Sequence, residues 1–167
     1  MRKALYCVFI FLIIIICQFV LGRYLSIFGG FPNLILITIV FLSMTKGRLE
    51  AVVAGFLFGI IWDVFSVDIF GMRMLLFPVI GYAVGLLGRN FDKDQLYTQA
   101  FIIFIANLIF LLGQALIYSS FYSENIHIFS AIFNLRNLFC LVLTVIFAIP
   151  SFLLLSIADN YFSKKRH

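Results

Sequence analysis

Apolar residues along the chain fall into long unbroken runs: Ala4 to Leu21, Ile27 to Met44, Leu49 to Phe65, Met72 to Gly88, Tyr97 to Tyr118 and Leu138 to Ile157. A helix crosses the hydrocarbon core with roughly 17–25 apolar residues, so each run predicts one transmembrane helix, the third and fourth near the lower limit. A membrane barrel would alternate in and out with period two, and these runs do not. The first run follows Arg2 and Lys3 as a signal sequence would. It is longer than such a segment and ends at Val20-Leu21-Gly22-Arg23 without a small-residue cleavage site, so it is predicted to remain as a helix. Between the fifth and sixth runs, Ile126 to Phe133 is too short to span and is predicted to lie along the outer surface as an interfacial helix. No internal repeat, low-complexity tract or linker interrupts the pattern. The expectation is a single all-α domain over residues 1–167, an integral membrane bundle of six transmembrane helices.

Composition agrees and removes the soluble alternative: 64% of residues are hydrophobic, 11% are charged, and the mean hydropathy is +1.16. In a soluble protein the net charge of +5 would suggest nucleic acid. In a membrane protein Lys and Arg set orientation instead, so no nucleic-acid partner is expected. With six spans both termini share a side. That side holds Arg2, Lys3, Lys46, Arg48, Arg89, Lys93, Lys164, Lys165 and Arg166, nine in all, against Arg23, Arg73 and Arg136 on the other. Both termini, the Lys46 to Glu50 turn and the Arg89 to Asp94 loop are therefore predicted to be cytoplasmic. Trp62, Tyr24, Tyr118, Tyr122 and Tyr161 fall near predicted helix ends, as interfacial aromatics do.

The third run carries the densest pattern, Ala51-x3-Gly55-x3-Gly59-x3-Asp63. A spacing of four keeps these residues on one stripe, and small residues in a stripe form a groove that lets another backbone approach closely. Gly81-x3-Gly85 repeats the device in the fourth run. The simplest arrangement packs the two helices antiparallel along these faces, with a partner protein's helix as the other possible occupant. Asp63 is an acid deep in an apolar block, where a carboxylate costs roughly 2.5–3.5 kcal/mol at mid-membrane and so needs a partner. Arg73 is the nearest candidate, and Asp68 reads as an ordinary surface acid. Asn107 and Gln114, seven apart on the fifth helix, share a face and are expected to hydrogen-bond to neighbouring helices. Pro78 and Pro150 lie inside helices. Cys7, Cys17 and Cys140 sit in apolar runs without CxxC spacing and read as small apolar residues, with no metal site.

Enzyme readings lack their residues. Both histidines, His127 and His167, lie outside the spans, and there is no GxSxG, HExxH or glycine-rich phosphate loop. A two-aspartate intramembrane peptidase, similar in size to the lipoprotein signal peptidase, needs two carboxylates converging from different helices. Here Asp63 and Asp68 share one helix end, and Asp159 is predicted on the opposite face of the membrane. No catalytic residue and no cofactor are expected.

Pro32-Asn33-Leu34, Lys46-Gly47-Arg48, the stretch from Gly55 through Trp62-Asp63 to Ser66, Gly71, and Gly81-Tyr82-Ala83-Val84-Gly85 together resemble the rod shape-determining protein MreD family. The resemblance covers nearly all of the chain. It implies a non-enzymatic inner-membrane component of the bacterial elongation and peptidoglycan-synthesis machinery. Such a protein works with MreC to couple MreB filaments to the RodA glycosyltransferase and its class B penicillin-binding partner. Ala51, Gly55, Gly59, Asp63, Gly71, Arg73, Gly81 and Gly85 are then helix-packing or partner-binding residues, membrane lipid surrounds the bundle, and no small-molecule substrate is expected. The G-x3-G-x3-D pattern is also similar to that of the substrate-binding subunits of energy-coupling-factor vitamin transporters, whose six-helix fold MreD is thought to share. A vitamin-binding subunit is accordingly the alternative function. It would need an outward polar, aromatic-lined pocket, for which the candidates are Asp63, Arg73, Tyr118, Tyr122 and Asn137.

Overall fold

The structure, a computed structural model, describes residues 13–18, 20, 24, 30–66, 68–88, 95–121 and 135–164. Among them every regular element is helical: α1 (13–18), α2 (Leu34–Thr45), α3 (Arg48–Phe65), α4 (Met72–Leu87), α5 (Leu96–Phe121) and α6 (Leu135–Lys164). Most of the first predicted helix, the Arg89 to Asp94 loop and the interfacial helix at Ile126 to Phe133 lie outside the described residues.

Two helices are long and apolar enough to cross a membrane, over Tyr97–Phe121 in α5 and Leu135–Ile157 in α6. Only 39% and 22% of their most apolar windows are buried within the molecule, so they are not core helices of a soluble fold. Their outward residues, including Phe101, Leu112, Leu116, Val142, Ile146 and Leu153, are large and apolar. That is the surface a bilayer accepts and water does not.

The second run departs from expectation. It was predicted to be helical from Ile27, but α2 begins at Leu34 and is 12 residues long, about 18 Å. Asn33 stops the helix from starting earlier, accepting the Leu36 amide on its Oδ1 at 3.1 Å as an N-cap. Proline at 32 precedes it with no amide to donate. Nine of the twelve α2 residues are buried, from Ile35 to Met44, because α3, α4, α5 and α6 all pack around this helix.

Residues 31–33 are non-helical, and irregular backbone packed inside a bundle needs protein groups to satisfy its polar atoms. Here Gln18 of α1 does so twice. Its Nε2 donates to the Pro32 carbonyl at 2.9 Å, and its Oε1 accepts the Leu34 amide at 2.6 Å. From α6, the Thr144 hydroxyl accepts the Asn33 amide at 3.1 Å, and Cys140 donates its thiol to the Phe31 carbonyl at 3.1 Å. Gly30 lies so near α6 that an added Cβ would stand 2.7 Å from the Arg136 carbonyl oxygen.

Candidate functional site

The glycine-rich faces of α3 and α4 meet each other. A Cβ added at Gly55 would stand 2.9 Å from the Phe77 carbonyl carbon, and one at Gly59 only 2.5 Å from Met74 Cα. In return, a Cβ on Gly81 would stand 3.1 Å from the Ala51 backbone, and one on Gly85 would be 2.5 Å from Arg48 Cβ. Each step of four along α3 is matched by a step of four back along α4, the register of a close antiparallel pair. Ser43 of α2 donates to the Gly81 carbonyl at 2.7 Å, and Arg48 lies 5.8 Å over the Tyr82 ring, which draws α2 and both helix ends into the same unit. Both grooves are filled from within the molecule. Neither is left open for another protein's helix, the other occupant considered for these residues.

At the turn between these helices the register delivers Asp63 to the start of α4. The N-cap of α4 is Gly71, held at φ +92°, a left-handed conformation that favours glycine and leaves no side chain to cap the helix. The Asp63 carboxylate takes that role from α3. Its Oδ2 accepts the amides of Gly71 at 3.0 Å, Arg73 at 3.1 Å and Met74 at 3.0 Å. A helix N-terminus carries unsatisfied amides and partial positive charge, so a buried carboxylate finds there both its hydrogen bonds and its countercharge. This accounts for the motif in physical terms: the glycines bring two helices together and the aspartate caps the second.

Arg73 approaches Asp63 less closely than the amides do, with Nη1 at 3.6 Å from Oδ1. Its stronger partners lie in the turn: Nη2 is 2.6 Å from Asp68 Oδ2, and Nη1 donates to the Ser66 hydroxyl at 2.9 Å. Arg73 also sits 5.7 Å over the Trp62 ring. Asp68 is exposed, as a surface acid should be, but it is held by several partners. It receives Ser66 at 2.9 Å and the Tyr118 hydroxyl of α5 at 3.0 Å in addition to Arg73. Burial pushes its carboxyl upward. The hydrogen bonds from Arg73, Ser66 and Tyr118, with the Arg73 charge, outweigh that and hold it below the usual carboxylate range.

Beside this cluster is a cleft of about 160 Å³. Phe31, Trp62 and Phe65 form its apolar wall, and Ser66, Asp68, Arg73 and Arg136 its polar side. No cluster of metal-ligating side chains occurs among the described residues.

The partners expected for α5 are not found among the described residues. Asn107 is buried, and neither its Nδ2 nor its Oδ1 has a hydrogen-bond partner, while Gln114 also makes no hydrogen bond among the described residues. The shared face is real, but what packs near it is apolar: Phe110 stacks on Phe77 at 5.5 Å, and Gly113 lies under Leu76. Asn107→Leu is accordingly expected to raise the melting temperature in detergent, because an orphaned buried amide costs about 1–3 kcal/mol. A lower melting temperature would show that the amide is satisfied in the folded protein. The polar hub that does join helices is Gln18, Asn33 and Thr144, which the run-by-run reading passed over. Gln18 gave a usable signal, since an amide within an apolar run needs a partner as much as Asn107 does.

Comparison with curated proteins and with solved structures returns no match. The family model for rod shape-determining protein MreD, by contrast, matches residues 1–158 of the 167. It spans the capped antiparallel pair, the shortened central helix and both long apolar helices, so the chain belongs to the rod shape-determining protein MreD family and has a role in rod shape determination.

Proposed function

We propose that this protein is a non-enzymatic scaffold of the bacterial inner membrane, binding MreC and linking MreB filaments to the peptidoglycan synthases of the elongation machinery. The family match over residues 1–158 carries this reading. The fold is compatible with it: α3 and α4 use their small-residue faces on each other, which leaves partner helices the outer apolar faces. The six-span topology with cytoplasmic termini and the kinship with energy-coupling-factor subunits belong to the same proposal. Nothing found favours the vitamin-transporter alternative.

Depleting the protein in a rod-shaped host should turn rods into round cells, and a tagged copy should copurify an MreC-like protein. Depletion that leaves cell shape and wall synthesis unchanged would remove the assignment. For the topology, reporter fusions after His167 and at Glu124 are expected to report the cytoplasm and the outside respectively. A periplasmic signal from the carboxyl terminus would overturn it.

A further inference from the structure

We propose that the cleft beside the α3–α4 turn binds the anionic phosphate group of a membrane lipid, with Arg136 as its cationic contact. The cleft is formed where three chain segments turn: the non-helical Phe31, the end of α3 and the start of α4, and the first turn of α6. Helix ends of a membrane bundle lie near the headgroup layer, and Trp62 in the wall is the kind of side chain found there. The volume of about 160 Å³ is similar to that of a cavity of about 150 Å³ that admits benzene. A phosphoryl group with part of a glycerol backbone therefore fits.

Charge selects the sign of the ligand. Asp68 has its oxygens engaged by Arg73, Ser66 and Tyr118, and Arg73 is committed to Asp68, Ser66 and Asp63. Among the described residues, the one acid of the cleft is thus already neutralised by Arg73. Arg136 is exposed, lines the cleft, and makes no ion pair or side-chain hydrogen bond among the described residues. A guanidinium in that state presents a fork of donors matched to phosphate oxygens. The wall decides between a lipid and a free anion. Phe65 is 68% exposed, so the apolar side of the cleft opens onto the molecular surface and offers acyl chains an apolar edge. A small inorganic anion would gain nothing from it.

Trp62 is the only tryptophan in the chain and lies in the cleft wall, so its fluorescence reports occupancy directly. The full chain in neutral detergent should give a saturable Trp62 signal with short-chain phosphatidylglycerol, a weaker one with short-chain phosphatidylcholine, whose choline offsets the phosphate charge, and none with inorganic phosphate. Arg136→Gln should weaken the apparent affinity at least tenfold, and Arg136→Lys, which keeps the charge but loses the fork of donors, should fall between that variant and the unsubstituted protein. Arg136 makes no side-chain hydrogen bond or ion pair among the described residues, so both variants should melt with the unsubstituted protein. Equal titration by phosphatidylcholine, equal binding of phosphate alone, or an unchanged affinity in Arg136→Gln at unchanged melting temperature would each overturn the proposal.

Discussion

Asp63→Ala is expected to abolish most accumulation of folded protein. The substitution removes the acceptor of three amides at the start of α4 and the weaker of the two carboxylate contacts of Arg73, which keeps Asp68. Each buried amide left without an acceptor costs about 1–3 kcal/mol, so losing the acceptor of three is a large part of the roughly 5–15 kcal/mol that holds an ordinary domain together. Asp63→Asn separates the contributions. It keeps an acceptor oxygen for the amides but loses the charge, so it should fall between wild type and alanine in melting temperature and in membrane yield. Alanine and asparagine variants that both accumulate normally would show that the cap is dispensable. If they then lost only a ligand-binding activity, Asp63 would belong to a binding site instead.

Gly59 is expected to be the least substitutable glycine. Even the methyl of Gly59→Ala would stand 2.5 Å from Met74 Cα and 2.7 Å from the Arg73 carbonyl oxygen, backbone atoms that cannot turn aside. The helices must separate, which loosens the contact along α3 and shifts the amides that Asp63 caps. Overpacking typically costs about 1–3 kcal/mol. With a rigid backbone opposite and the cap coupled to it, Gly59→Ala should reach the top of that range and Gly59→Leu should exceed it. Gly81→Ala, whose Cβ would stand 3.1 Å from Ala51 atoms, should be milder. Melting temperatures in detergent, read alongside yield, test the order Gly59 worse than Gly81. The reverse order would mean that the two helices pack in a different register. Insertion should be unaffected in all three, because the hydropathy of the span hardly changes.

Much of this architecture is local and was legible as such. A long run of apolar residues and a glycine every fourth position are properties of neighbouring residues, and they predict helices near their observed bounds. The third, fourth, fifth and sixth runs became α3 to α6 with ends shifted by a few residues. The second run did not, because helix initiation at Leu34 depends on partners for the backbone of residues 31–33. Those partners come from α1 and from α6, more than a hundred residues away in the case of Thr144. Hydropathy is blind to such contacts.

Asp63 marks the boundary most clearly. The sequence by itself determined that this carboxylate must have a partner, since the cost of burying a bare charge is a property of the residue and its surroundings in the run. It also determined that a small-residue stripe lay on the same face. Which groups meet them was decided only by the antiparallel register of α3 and α4, which turns the two grooves on each other and sets the amides of Gly71, Arg73 and Met74, more than the Arg73 guanidinium, against the carboxylate. For Asn107 the need for a partner was equally legible, but none of the described residues meets it. A residue's requirements follow from its own chemistry, whereas their fulfilment depends on through-space neighbours that the linear pattern does not contain.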